Sequence, residues 1–171
     1  MATAKQLFCY ALLIAPLAAC STVSERPAAP PSPPALAEPA AAEALFQALS
    51  TLDIDYRFGG NSRASGFDCS GLVQYVYRSA YGIELPRLTL DQSRAGHTVD
   101  RQRLQPGDLV FYNTLDQPYS HVGIYIGDDR FVHAPRTGAA VRVESMRAAY
   151  WHRRFDGARR ILGRDRSAAA F

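Results

Sequence analysis

The spacing of apolar residues changes once along this chain, and that change constrains the fold more than any other feature. Residues 43–52, EALFQALSTL, and residues 68–81 carry apolar side chains at helical intervals. From residue 109 onward the apolar residues fall in short or alternating runs, as in residues 120–127, SHVGIYIG. Helical segments followed by an antiparallel meander predict an α+β domain, with N-terminal helices packed on an antiparallel β-sheet.

Turn signals delimit the elements of this predicted domain. Gly82 follows the second helical segment and is expected to end it. Residues 106–108, PGD, precede the first predicted strand, and residues 127–129, GDD, form a hairpin signal. The domain is expected to span residues 41–163, which is long enough for a stable core. The predicted strands cover residues 109–112, 120–127, 130–134, 141–143 and 159–162.

Residues 1–19 have the composition of a signal peptide. Lys5 supplies a positive charge, and residues 7–17 form an apolar stretch too short to remain as a spanning helix. The segment ends in residues 17–20, LAAC, which resembles the bacterial lipobox. We therefore predict that Cys20 is lipidated and becomes the mature N-terminus; an ordinary signal peptide with an incidental cysteine is the alternative. Ser21 favours the outer membrane, so we expect a lipid-anchored protein on the periplasmic face of the outer membrane of a Gram-negative bacterium.

Residues 20–40 are predicted to be a lipid-anchored, proline-rich linker. Residues 21–40 contain six prolines, and polyproline geometry of about 3.1 Å per residue would let such a segment reach roughly 60 Å. A tether of that length would hold the domain away from the membrane, whereas plain disorder would give a shorter mean span. Residues 164–171 are expected to form a short C-terminal tail.

These assignments leave a single cysteine in the folded domain. Of the three cysteines in the chain, Cys9 lies in the predicted signal peptide and Cys20 carries the predicted lipid. Cys69 therefore has no internal partner for a disulfide, even in an oxidising compartment. It is either a small buried hydrophobic residue or a reactive thiol.

The position of Cys69 favours a reactive thiol. The first turn of a helix presents unpaired N–H groups and the positive end of the helix dipole, which lower a thiol pKa. The neighbouring Asp68 opposes this effect, so a cation is needed nearby. His121 and His133 are the candidates, since they lie on two predicted strands joined by a hairpin.

Alternation in residues 120–127 places His121 on the face opposite Val122 and Ile124. Gly123 has no side chain on the His121 face, so we expect a helix to pack closely there. The predicted constellation has Cys69 as nucleophile, His121 as the general base that forms an ion pair with it, and His133 orienting the base.

Six motifs in order resemble those of the NlpC-type papain-like cell-wall cysteine peptidases. The resemblance runs from about residue 56 to residue 162, nearly the whole domain, and the combination is highly specific. The motifs are YRFGG at 56–60, FDCSGLV at 67–73, LPR at 85–87, PGDLVF at 106–111, SHVGIY at 120–125 and FVHA at 131–134.

The resemblance implies a papain-like core and a set of site residues. It implies that Cys69 is the catalytic cysteine, His121 the base and His133 the third polar member. It places Tyr56 near the nucleophile, where its hydroxyl can aid substrate or oxyanion binding. The residues implied to contact the substrate or the oxyanion are Tyr56, Asp68, Ser70 and Arg87. The last three match positions that line the cleft.

The activity implied is hydrolysis of amide bonds in peptidoglycan stem peptides through an acyl-enzyme, without metal or cofactor. The bond would be either the D-glutamyl–diaminopimelate link or the diaminopimelate–D-Ala crosslink. We expect a monomer that contacts the membrane through its lipid anchor on Cys20. A net charge of +3 and the lack of a basic stripe with aromatics argue against nucleic acid.

Three other functions remain open at this stage, and one of them is a related amide or acyl transfer on a different substrate by the same nucleophile. Cys69, His121 and His133 could be three ligands of a hydrolytic zinc site. The domain could also be a non-catalytic envelope lipoprotein that binds wall peptides.

The remaining polar and aromatic residues have simpler interpretations. His97 and His152 are expected at the surface, and Tyr150 and Trp151 in the core or at its edge. A basic run near the C-terminus is either a solvated face or a surface attracted to wall polymer or anionic head groups. The run comprises Arg153, Arg154, Arg159, Arg160, Arg164 and Arg166.

Overall fold

The computed structural model describes residues 37–161, and side chains from residue 41 onward. The predicted signal peptide, Cys20, most of the linker and the C-terminal tail lie outside the described residues. Within them the helices are α1 (Ala37–Leu49), α2 (Cys69–Tyr81), α3 (Thr89–Gln92) and α4 (Ala149–Arg154). The strands are β1 (Asn61–Ser62), β2 (Gly66–Phe67), β3 (His97–Thr98), β4 (Leu109–Tyr112), β5 (His121–Gly127), β6 (Arg130–His133), β7 (Arg142–Ser145) and β8 (Phe155–Arg160).

Helix α2 begins and ends where the sequence predicts. Asp68 precedes its first residue in an extended conformation, and the Asp68 side chain accepts a hydrogen bond from the N–H of Gly71. Gly82 ends the helix in the left-handed conformation, with φ of 67°. Helix α1 packs against α2 through the fully buried Ala44 and Ala48.

The main sheet is antiparallel, with strand order β3-β8-β4-β5-β6-β7. The predicted strands over 109–134 are confirmed almost residue for residue. Strand β8 starts at Phe155, four residues before the predicted start, and pairs with both β3 and β4. The predicted α+β class is therefore confirmed.

Different helices cover the two faces of the sheet. Helix α2 packs on the face that carries Val122 and Ile124, because its own apolar side chains need an apolar partner. A helix also covers the His121 face, but it is α4, whose Trp151 stacks on His121. On that face a Cβ atom added to Gly123 would clash with the ring of Phe131.

The His121 face is covered by a second apolar cluster. Its buried members include Tyr112, Phe131, Met146 and Trp151. The predicted burial of Trp151 is confirmed, whereas Tyr150 is 45 % exposed. None of the helices that the structure describes is both long and apolar enough to cross a bilayer.

Candidate active site

The thiol of Cys69 lies at the first residue of α2 and is partly exposed. Its Sγ is 3.9 Å from Oγ1 of Thr89. The backbone N–H groups of Val122 and Ser70 lie close enough to the sulfur to lower its pKa. Because Val122 directly follows His121 in β5, the sulfur lies at the start of the strand that carries the predicted base.

His121 and His133 form a buried pair on neighbouring strands. Nε2 of His121 is 2.8 Å from Nδ1 of His133, and the two rings are perpendicular. His121 is 5 % exposed and His133 is fully buried. Since Nε2 of His121 faces His133, Nδ1 is the ring nitrogen that remains for a further partner.

Burial governs protonation at this site. It raises the pKa of the Cys69 thiol, and the negative charge of Asp68 adds to that effect, while the hydrogen bonds from Thr89, Val122 and Ser70 oppose it. Burial also lowers the pKa of His121 to about 4. Both directions oppose the resting ion pair predicted between Cys69 and His121, because a desolvated site favours neutral thiol and neutral imidazole.

His133 is held neutral more strongly than His121. Its pKa is lowered to about 2, first by burial and then by the positive charges of His121 and Arg142. Arg142 lies opposite His133 in the β6–β7 register. Nδ1 of a neutral His133 can accept a hydrogen bond from Nε2–H of His121, as the predicted orienting role requires.

Asp68 has internal partners on every side. Its carboxylate accepts hydrogen bonds from the N–H groups of Gly71 (2.8 Å) and Gly59 (2.9 Å), and it forms an ion pair with Arg87. Only 7 % of Asp68 is exposed. The carboxylate therefore ties the start of α2 to the loop before β1 and to Arg87, and its position in the cleft is that of a support beneath Cys69.

Ser70 and Arg87 belong to the same network. Nη1 of Arg87 donates to Oγ of Ser70 at 2.7 Å, and that hydroxyl lies 3.4 Å from Oδ1 of Asp68. Ser70 is 4 % exposed, whereas the Arg87 side chain is 38 % exposed. Of these three residues predicted to line the cleft, Arg87 has the largest surface available to a substrate.

Tyr56 lies in the electrostatic field of the nucleophile. Its pKa is raised, first by burial and then by the negative charges of Cys69 and Asp68, while Arg87 lowers it. The side chain is half-buried. The structure thus groups Tyr56, Asp68, Ser70 and Arg87 around Cys69, and it pairs His121 with His133 on the neighbouring strands β5 and β6.

The sequence did not predict the roles of Thr89 and Gln92, which lie at the two ends of α3. Thr89 contacts the sulfur, and Nε2 of Gln92 donates to the backbone oxygens of Ser70 and Pro86. The only available signal was their closeness in sequence to Arg87.

Other sequence predictions fare differently. His97 and His152 are exposed, as expected. Within the basic run, Arg160 instead forms an ion pair with the buried Asp108, and Arg159 donates to the carbonyl of Ser93. Arg164 and Arg166 lie beyond the described part of the chain.

The proposed zinc site has no geometric support. Across residues 37–161, no group of three His, Cys, Asp or Glu side chains is arranged to hold a metal ion. The reason is visible in the histidine pair, where Nε2 of His121 and Nδ1 of His133 face each other instead of a common point.

A cysteine at a helix N-terminus, packed against an antiparallel sheet that carries a buried histidine pair, defines a papain-like domain. The chain belongs to the NlpC/P60 family, whose model matches residues 53–160. Peptidases of this family are cysteine peptidases.

Two curated relatives illustrate the similarity. The chain is 45 % identical over 111 residues to murein DD-endopeptidase MepS/murein LD-carboxypeptidase of Escherichia coli (strain K12), covering 65 % of this chain and 57 % of that protein. It is 41 % identical over 128 residues to gamma-DL-glutamyl hydrolase of Bacillus subtilis (strain 168), covering 73 % of this chain and 31 % of that protein. The chain thus matches about half or less of the length of these relatives.

Solved structures show the same fold. An NlpC/P60 family protein from Bacillus cereus ATCC 10987 superposes with a TM-score of 0.68 at 36 % identity, covering 73 % of this chain and 41 % of that one. The NlpC/p60 domain of peptidoglycan hydrolase SagA gives a TM-score of 0.61 at 32 % identity, covering 70 % of this chain and 97 % of that domain.

Proposed function

We propose that this protein is a cell-wall cysteine endopeptidase that hydrolyses amide bonds in peptidoglycan stem peptides. The observation that carries the proposal is the position of Cys69 at the first residue of α2, with its sulfur close to the N–H of Val122, which directly follows the paired His121 in β5. Family membership and the names of the relatives support the same chemistry.

In the proposed mechanism, the thiol is deprotonated as it attacks. His121 carries its proton on Nε2, donates it in a hydrogen bond to Nδ1 of the neutral His133, and accepts the thiol proton at Nδ1. The sulfur forms a bond to the scissile carbonyl carbon, and the resulting oxyanion is held by the N–H of Cys69 with help from Tyr56.

Collapse of this intermediate breaks the amide bond. The His121 imidazolium gives its proton to the leaving amine, and a thioester remains on Cys69. Water then attacks the thioester while His121 takes its proton, and the carboxylic acid product leaves as the thiol is reprotonated. No step requires a metal or a cofactor.

For the scissile bond we propose first the diaminopimelate–D-Ala crosslink. Two E. coli relatives with 45 % and 38 % identity are named murein DD-endopeptidases. The D-glutamyl–diaminopimelate link is the second candidate, favoured by the 41 % identical gamma-DL-glutamyl hydrolase.

Product masses from a muropeptide digest test this proposal. Crosslinked dimers should be converted to monomers, whereas cleavage at the glutamyl link should release fragments that lack the D-glutamyl residue.

Cys69→Ala and His121→Ala should abolish turnover, and the exposed His97→Ala should not. Iodoacetamide should inactivate the enzyme, whereas chelators should not. A purified, folded protein that leaves all muropeptides intact would favour a non-catalytic wall-binding role.

We also propose that the protein is anchored to the outer membrane through lipid on Cys20, with residues 21–40 as a tether. The support is the LAAC sequence and Ser21. Fractionation after palmitate labelling tests this: the wild-type chain should be labelled and membrane-bound. Cys20→Ala should be unlabelled and released from the membrane. A labelled Cys20→Ala chain would refute the assignment.

A further inference from the structure

The indole of Trp151 stacks on the imidazole of His121. The ring centroids are 5.6 Å apart and the planes differ by 26°. The same indole meets His133 edge-on, at 4.9 Å and 87°. Trp151 is 7 % exposed and is the only tryptophan in the chain. One face of the proposed general base is therefore covered by an aromatic π surface in a nearly water-free setting.

The proposed reaction places a positive charge on His121 in this setting. His121 takes the proton of Cys69, yet no carboxylate in residues 41–161 forms a hydrogen bond or ion pair with either imidazole. The hydrogen-bond partner, His133, is neutral, and the nearby Arg142 repels positive charge from it. The charge consequently stays on His121, and something other than an anion must stabilise it.

Resting on the proposed function, we propose that Trp151 is a positioning residue that stabilises the His121 imidazolium through a cation–π contact. Tryptophan is the strongest aromatic partner for a cation, and the contact gains strength when it is desolvated.

Glu144 holds the indole in this orientation. Its Oε2 accepts a hydrogen bond from Nε1 of Trp151 at 3.3 Å, and its Oε1 pairs with Nε of Arg142 at 2.7 Å. Because the indole N–H donates to a carboxylate, the electron density on the π face that His121 contacts increases. An ion pair, a hydrogen bond and a ring stack therefore connect Arg142 to His121 through Glu144 and Trp151.

Any pH-dependent measurement must consider every ionisable group around the stacked pair. These groups come from five elements: Cys69 on α2, Tyr112 on β4, His133 on β6, Arg142 and Glu144 on β7, and Tyr150 and Arg154 on α4. Glu144 is the group that accepts a hydrogen bond from the indole, so it needs its own control.

Tryptophan emission provides a direct test, because an imidazolium in contact with an indole quenches its fluorescence. Emission from the full-length protein should fall as the pH is lowered through about 4, where His121 takes up a proton. The transition should persist in Glu144→Gln and His152→Gln and disappear in His121→Gln, with far-UV circular dichroism confirming the fold at each pH. A transition that persists in His121→Gln overturns the inference.

The kinetics of Trp151 variants give a second test, in which the direction of the pH-profile shift distinguishes the two roles of the indole. In Trp151→Leu, kcat on muropeptides should fall about tenfold with KM unchanged, and the acid limb of the pH profile should move to lower pH by about half a unit. Trp151→Phe should show less than half of each effect. If the indole only packs, its removal admits water, His121 becomes more basic, and the limb moves to higher pH; that outcome refutes the proposal.

The two proposals fail separately. Active protein whose emission transition does not depend on His121 overturns the role of Trp151 and leaves the endopeptidase proposal intact. Protein with a His121-dependent transition but no action on any muropeptide overturns the endopeptidase proposal, and with it the catalytic use of the contact.

Discussion

The guanidinium of Arg87 and the carboxylate of Asp68 form an ion pair beneath the nucleophile. The Asp68 side chain is 9 % exposed and also caps the helix that begins at Cys69. The pair therefore couples a loop residue to the position of the sulfur, and it offsets a negative charge that would otherwise raise the pKa of the thiol further.

Replacing Arg87 with Met should impair both stability and reactivity. Loss of the pair leaves Asp68 nearly buried without its cation, and because Arg87 is partly exposed we expect a cost of only about 1–2 kcal/mol in unfolding free energy. The thiol pKa should rise, which lowers the alkylation rate at pH 7.5. Arg94→Met, which removes an exposed pair with Asp91, is the matched control. Equal behaviour of the two variants in denaturant melts and alkylation would contradict this role.

The pH dependence of Cys69 alkylation should distinguish a neutral resting pair from an ion pair. Since the thiol pKa is raised and the His121 pKa is lowered to about 4, thiolate is scarce at neutral pH. The rate with iodoacetamide, followed by peptide mass at Cys69, should rise about tenfold per pH unit from pH 6 to 9. A rate plateau between pH 5 and 7 would reveal a preformed thiolate–imidazolium pair and refute the neutral assignment.

The sequence predicted those parts of the fold that carry local signals. Helix α2 has an apolar face, a capping residue and Gly82, so both its ends could be read from the chain. Strands β4, β5 and β6 have alternation and a Gly-Asp-Asp turn. The start of β8 had no comparable signal, because its pairing with β3 and β4 is set by residues about 45 or more positions away.

The pairing of His121 with His133 could be predicted from the hairpin that joins their strands, whereas the surroundings of the pair could not. Alternation shows that His121 and Val122 lie on opposite faces of β5, but it does not show what covers each face. The aromatic cluster with Trp151 comes from distant segments. Burial depends on the same tertiary packing, so the opposing pKa shifts of Cys69 and His121 could not be read from the chain.

The pairing of Arg160 with Asp108 predicts that part of the basic run is structural. Nε and Nη2 of Arg160 each donate to the 2 % exposed Asp108 carboxylate at 2.7 Å. Arg160→Met should therefore lower the unfolding free energy by about 3–5 kcal/mol, the usual cost of leaving a buried charge unpaired. The exposed Arg153→Met should change it by less than about 0.5 kcal/mol. Similar thermal melts for the two variants would show that the whole run is a solvated face.

Thr89 should tune the thiol pKa without contacting the ion pair between Asp68 and Arg87. Its hydroxyl lies 3.9 Å from the sulfur and lowers the thiol pKa against the effect of burial. In Thr89→Val that donor is lost, the pKa rises further, and alkylation at pH 7.5 should slow by about three- to tenfold, as expected for one hydrogen bond. Thr89→Ser keeps the donor and should retain most of the wild-type rate, and the exposed Thr98→Val controls for the substitution itself. If Ser and Val at position 89 slow alkylation equally, the effect arises from packing around the lost or altered methyl groups and not from the hydroxyl.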